Sequence, residues 1–190
     1  ISHGVAALEY DLAKEINGQA VATEIARHEL YGCTGAEMVQ EMKPYHIDFP
    51  NVKNNCLRFE VSPSIEESAT FTDADWAELG NDFMQRMGLA NHQYIIIRHS
   101  GTESKKEQAH LHILANRVSL SGELYRDNWI GKKATEAANA IAKERNFVQS
   151  QDIGKVNKAE IKEAMDGVLK KMQGFDFTKF KEELGKRGFK

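Results

Sequence analysis

Residues 94–118, YIIIRHSGTESKKEQAHLHILANRV, decide how this chain folds and what it can bind. Positions 94–98 form a short apolar run rich in isoleucine, the pattern of a buried strand. A polar loop follows over 100–109, with Gly101 and two lysines in it. His110-Leu111-His112 then opens a second apolar strand. Side chains alternate along a strand, so His110 and His112 share one face and Leu111 takes the other. An antiparallel hairpin returns His110 to the end of the first strand, at His99, and gathers three imidazoles on one patch of sheet. Neutral imidazole is the commonest protein ligand for a borderline divalent metal, and three of them leave coordination positions open for chemistry. An HxH pair alone is equally the mark of a half-buried polar pair with no function. The third histidine, closing the preceding strand, tips the reading toward a metal site.

The whole chain sets the frame for that patch. Its 190 residues suffice for one good core and an appendage. Hydrophobic residues at 41% and charged residues at 28% are ordinary for a soluble globular protein. No run approaches the ~20 apolar residues of a membrane span, so no membrane insertion is expected. Cys33 and Cys56 are the two cysteines and form no CxxC, so a reducing, cytoplasmic location is the default. Ile1 opens the chain, which therefore reads as a segment of a longer protein. Net charge is −3, against the basic excess usual in a passive nucleic-acid binder. That charge is uneven: residues 1–153 balance at −7 and residues 154–190 at +4. We therefore expect a domain over 1–153 and a basic helical extension over 154–190.

Taken in order, residues 1–16 carry Leu8, Leu12 and Ile16 at helical spacing. Tyr10 and Lys14, four apart, share another face of that helix. A strand-like stretch follows around 24–30. Thr34-Gly-Ala-Glu37 has the capping-box form ahead of a helix burying Met38 and Met42. Residues 57–62 alternate cleanly, with Leu57, Phe59 and Val61 inward. Thr72 precedes a helix with Trp76, Leu79 and Phe83 on its buried side, and Gly88 suits its end. Further helices are expected over 132–145, over 157–172 (capped by Asn157, buried through Ile161, Met165, Val168 and Met172) and over 178–187 (Phe180 and Leu184 inward). The sum is an α+β fold, one antiparallel sheet with helices packed mainly on one face.

Established catalytic motifs narrow the chemistry. No GxSxG, Walker loop or HExxH is present. Leu114 breaks the HxHxH of a histidine-triad hydrolase, and Ile113-Leu114 after His112 break the repeat of a two-histidine phosphodiesterase.

The blocks ISHG…LEY…K, LRFEVSP, the acidic-start helix ending in MGL, YIIIRH and HLHILANRV follow one another over most of 1–150. In this order they resemble the relaxase/mobilisation nuclease family of HUH endonucleases, especially relaxases of mobile elements in Bacteroides-type bacteria. The resemblance implies a palm-like, about five-stranded antiparallel sheet with a metal on its surface and a tyrosine helix over it. It implies nicking of one DNA strand at an origin of transfer in conjugative mobilisation of a plasmid or mobilisable transposon. A tyrosine, matched by Tyr10, stays joined to the 5′ end. The metal ligands map to His99, His110 and His112. The cation in use is expected to be Mn²⁺ or Mg²⁺, while three imidazoles also accept Zn²⁺, Ni²⁺ or Co²⁺. The implied partners are hairpin or single-stranded origin DNA, accessory mobilisation proteins and a coupling protein.

Arg58, Arg98 and Arg117 project from strands and are the candidate DNA-groove residues. Tyr31, Tyr45, Tyr94 and Tyr125 are rival nucleophiles, with Tyr94 set apart by its buried strand. Relatives carry an H-x-D-T connection after the first histidine. Here Gly101 falls where the aspartate would be, leaving Glu103 and Glu107 as candidates to orient a ligand. That departure keeps a second reading open: a DNA-binding accessory mobilisation protein with the same fold and impaired chemistry. A phenol ordinarily titrates near ~10, so a nucleophilic tyrosine needs roughly 4 kcal/mol of activation from a cation or a nearby base.

Overall fold

The computed structural model describes residues 2–101 and 108–189, which fall into two compact units, Ile1–Phe147 and Val148–Lys190. Glu103 and Glu107 lie outside the described residues.

Helix α1 (Ser2–Leu12) drives Leu8 fully into the core. The helical reading of residues 1–16 overshoots, because Asn17-Gly18 turns the chain sharply. Strands β1 (Glu15–Ile16) and β2 (Gln19–Ala20) pair across that turn. Both turn residues have positive φ, 53° at Asn17 and 74° at Gly18, the requirement of a type I′ hairpin that Asn-Gly meets at least cost. A bond from the Val21 amide to the Lys14 carbonyl closes the hairpin.

Strand β3 (Ala22–His28) leads to α2 (Gly35–Met42), which starts on the expected Thr34–Glu37 capping box and buries Met38, Val39 and Met42. A 3₁₀ turn over Lys43–His46 takes up Pro44. Strand β4 (Cys56–Val61) buries Leu57 and Phe59, and a one-turn helix α3 (Ile65–Ser68) follows. Helix α4 (Asp73–Arg86) is capped by Thr72, whose hydroxyl accepts from the Asp75 amide. At its other end the Leu89 amide bonds the Met84 carbonyl at 2.9 Å and Gly88 takes φ 72°, a Schellman termination. Strands β5 (His92–His99) and β6 (His110–Ser119) then form the central hairpin, and α5 (Ile130–Glu144) completes the first unit.

The main sheet is antiparallel in the order β3-β5-β6-β4, with β1-β2 a separate pair. This is the expected α+β architecture, with four strands in the main sheet. Helices, however, cover both faces. Ile95, Ile97 and Leu114 pack under α1 and α2 with Leu8, Met38, Val39 and Met42. Tyr94, Ile96, Ile113, Leu57 and Phe59 pack under α4 and α5 with Trp76, Leu79, Phe83 and Ile141. The reason is in β5: the run 94–97 is apolar at every position, so each face needs a lid.

The second unit is helical. Helix α6 (Ser150–Leu169) begins well before Asn157, which lies in its interior and caps nothing. Ala164 and Val168 are buried, while Ile161 and Met165, expected inward, are exposed. Helix α7 (Phe177–Lys186), capped by Asp176, buries Phe180 as expected. Among the described residues, no helix is long and apolar enough to cross a membrane.

Candidate metal centre

The register of the central hairpin makes His99 and His110 direct partners across β5 and β6. His112, two residues on, returns to the same face. The three rings stand 4.4 to 5.3 Å apart, centroid to centroid. One nitrogen from each lies within 4.8 Å of the others, the only such group of three His, Cys, Asp or Glu side chains among the described residues. Two ligands held ~2.0–2.1 Å from one cation are about 3.0–3.4 Å apart. His110 Nε2 and His112 Nε2 stand 3.1 Å apart.

Neighbouring polar groups fix how these rings are held. His99 Nε2 lies 2.8 Å from the main-chain carbonyl oxygen of Asp11, near the end of α1. A carbonyl only accepts, so neutral His99 carries its proton on Nε2 and keeps the Nδ1 lone pair for a ligand. His110 Nδ1 lies 3.1 Å from the Gln108 carbonyl, so the same reasoning leaves its Nε2 lone pair free. His112 Nδ1 faces the Arg58 guanidinium at 3.1 Å.

Arg58 in turn clamps the Asp11 carboxylate through two bonds, Nε to Oδ2 at 3.0 Å and Nη2 to Oδ1 at 2.6 Å. Asp11 is 1% exposed, so its charge is buried and matched by that guanidinium. Burial pushes His99 below the usual imidazole range. His112 falls further, to about 3, through burial and then the charges of His99, Arg58, His110 and Lys14. Neutral imidazoles at working pH are what a divalent cation requires, so the donor set fits one.

Tyr10 stands one residue before Asp11 on α1, and its ring is exposed. The Lys14 ammonium donates to its phenol oxygen and lies over its ring. Lys14 has left the helix at this point, since α1 ends at Leu12. Its charge is the smallest of the influences that disfavour protonation of His99 and His112. Of the rivals, Tyr94 is buried with its hydroxyl on Asn81, and Tyr31 is bonded to Glu29.

The three arginines separate. Arg58 lies at the triad, with its side chain 44% exposed. Arg98 and Arg117 project from the opposite face, paired with Asp73 and Asp127. Sequence reasoning missed Asp11, although its position between Leu8 and Leu12 put a carboxylate inside the apolar stripe of α1, a signal in itself.

The antiparallel sheet, its histidine triad and the helix α1 packed on the same face form the candidate site. Residues 10–147 match the family model Relaxase: MobA/VirD2-like, nuclease domain, and the chain belongs to that family. The match starts at Tyr10 and ends where the first compact unit ends. No curated protein and no solved structure matches the chain.

Proposed function

We propose that this chain is a metal-dependent relaxase that nicks one DNA strand at an origin of transfer, with Tyr10 as nucleophile and His99, His110 and His112 as metal ligands. The observation that carries the proposal is the position of α1. Tyr10 immediately precedes the residue whose carbonyl holds His99, and its phenol accepts from Lys14.

A divalent cation on the three imidazoles supplies positive charge that polarises the scissile phosphate and stabilises its developing negative charge. Everything else falls to the chain. The Tyr10 oxygen forms a bond to phosphorus while the bond from phosphorus to the 3′ oxygen breaks. The products are a 5′-phosphotyrosyl strand and a free 3′-OH. Lys14 donates to the phenol oxygen and favours the negative charge that grows there as the proton leaves. Arg58, half in solvent beside His112, has Nη1 left to donate to a phosphate oxygen while Nε and Nη2 hold Asp11 and His112. The ester conserves the energy of the broken phosphodiester, so the 3′-OH can reverse the step and rejoin the strand.

In this reading the substrate is hairpin or single-stranded origin DNA, the setting is conjugative mobilisation in the cytoplasm, and the cation in use is Mn²⁺ or Mg²⁺. The basic second unit, with Lys155, Lys158, Lys162, Lys170 and Lys171 among its cations, offers further contact to the phosphate backbone.

Supercoiled origin DNA with Mn²⁺ tests the proposal. Wild-type protein is expected to give an EDTA-sensitive nick and a denaturation-resistant adduct, and Tyr10→Phe to give neither. A DNA mobility shift without any nick from the wild type would favour an accessory binding role instead.

A further inference from the structure

The chain has two tryptophans, and their surroundings are opposite. Trp76 is 2% exposed and packs edge-on against Phe71. Trp129 is 82% exposed, and its backbone takes φ 58° and ψ 30°, a left-handed conformation that bulky residues seldom adopt. It adds almost nothing to the core, and glycine or asparagine would hold the same turn at less cost. Folding therefore gives no reason for an indole at this position. The turn that carries it is nonetheless firmly built. Arg117 ties it to β6, with Nη2 on Asp127 at 2.7 Å, Nε on the Tyr125 carbonyl at 3.1 Å and Nη1 on the Asn54 carbonyl at 3.2 Å. Lys133, in the first turn of α5, donates to the Arg126 carbonyl at 2.8 Å and lies over the Tyr125 ring. Cations flank the indole along the chain. Arg126 is exposed and has no ion pair among the described residues, and exposed Lys132 reaches only Glu136, at 3.8 Å.

We propose that Trp129 is a stacking platform for one unpaired nucleobase of a DNA strand, with Arg126 and Lys132 receiving the adjoining phosphates. Every base has a π-face to lay on an indole, and cations beside the ring suit the backbone that comes with it. Inside a duplex those faces are already covered by neighbouring base pairs, so the site selects single strand. It is a second contact, apart from the triad. Arg117, which anchors the turn, projects from the sheet face opposite the three histidines. Along β6 it lies five residues from His112, about 17 Å. The inference rests on the reading of the chain as a protein that acts on DNA. It adds where, away from the scissile phosphate, the strand is gripped.

Indole fluorescence of the full chain reads this site directly, because the other tryptophan is buried. A short oligothymidylate, added in EDTA, is expected to quench the solvent-exposed emission of Trp129 and to shield it from acrylamide. The same strand annealed to oligoadenylate should do neither. With a label on the DNA, Trp129→Ala is expected to bind the oligothymidylate ~5–150-fold more weakly, the worth of one base–aromatic stack, and Trp129→Phe to recover part of that loss. Buried Trp76 then reports that both variants are folded. Arg126→Ala should reduce the slope of log affinity against log salt by about 0.7, one phosphate contact on a single strand. Equal quenching by single strand and duplex, or a Trp129→Ala affinity equal to wild type, overturns the inference and leaves strand nicking standing. Emission that ignores DNA but shifts as the protein is concentrated assigns the indole to a protein contact and overturns it equally. A wild type that binds no DNA removes the proposed function and the inference together.

Discussion

The two faces of the main sheet are built from alternate residues of the same strands, yet they do opposite work. Under α4 and α5 the contacts are dry and aromatic: Phe59 meets Phe83 edge-on at 5.4 Å, and Trp76 meets Phe71 at 5.1 Å. Under α1 and α2 the same strands carry apolar side chains only part of the way. Beyond Ile97 and Leu114 the face turns to His99, His110, His112 and the buried Asp11. One face specifies the fold and gives it stability. The other gives up apolar area to hold charge and imidazole in place. A sheet buried on both sides lets a protein keep a costly polar site on one, because the other anchors the strands.

That contrast breaks most visibly at single residues. Phe83→Ala is expected to destabilise the protein by about 3–5 kcal/mol, the usual penalty for an emptied aromatic site, while zinc affinity per folded molecule stays unchanged. His110→Ala is expected to do the reverse. It should abolish tight zinc binding and cost the metal-free protein only about 1–3 kcal/mol, the usual penalty when a partner such as the Gln108 carbonyl loses its donor. Urea melts and zinc titrations of the same pair of variants check both. Equal stability losses would sink the division of labour.

Acid comes next in size. His46, His92, His99 and His112 are all held below the usual imidazole range by burial, and His112 to about 3. A folded-state value below the unfolded one means stability is fully present above the ordinary ~6.5 and is lost as pH falls toward the folded values. The melting temperature of metal-free protein should therefore drop between pH ~6.5 and ~3. His112→Ala should flatten that slope. An unchanged slope would deny the imidazole face this role.

Smallest is the cap of α4. Thr72→Ala removes the hydroxyl that accepts from the Asp75 amide and should cost about 1 kcal/mol with no change in zinc binding.

Much of this could be read from residue order. The β5–β6 hairpin and the convergence of its histidines followed from strand alternation. The Thr34 cap followed from capping-box spacing, the start of α4 after Thr72 from its acidic first turn, and the Schellman end from Gly88. The reading of helices mainly on one face failed at β5, where an all-apolar run already implied two covers. Helix α1 was drawn too long because Asn17-Gly18 was not taken as a turn. The role of Asp11 was missed for a different reason: its place in the apolar stripe of α1 signals burial but does not say with what. Its partners, Arg58 and His112, lie 47 and 101 positions away, and no local pattern names partners that distant. Arg98 and Arg117 illustrate the limit of counting charges: strand parity sends them to the far side, where Asp73 and Asp127 hold them.

The small hairpin of β1 and β2 also makes this end of the molecule open to engineering. Its tip at Asn17 and Gly18 is exposed, while its base ties Lys14 to Val21 next to the pairing of Ala22 with His99. A fluorophore at the exposed tip would leave the main sheet untouched, and a change in its emission on adding origin DNA would be a direct readout for the proposed function. Deleting one residue from the same segment would shift strand β3 by one step against its partner and turn its inner side chains outward, so tolerance should change from complete to none within a few positions.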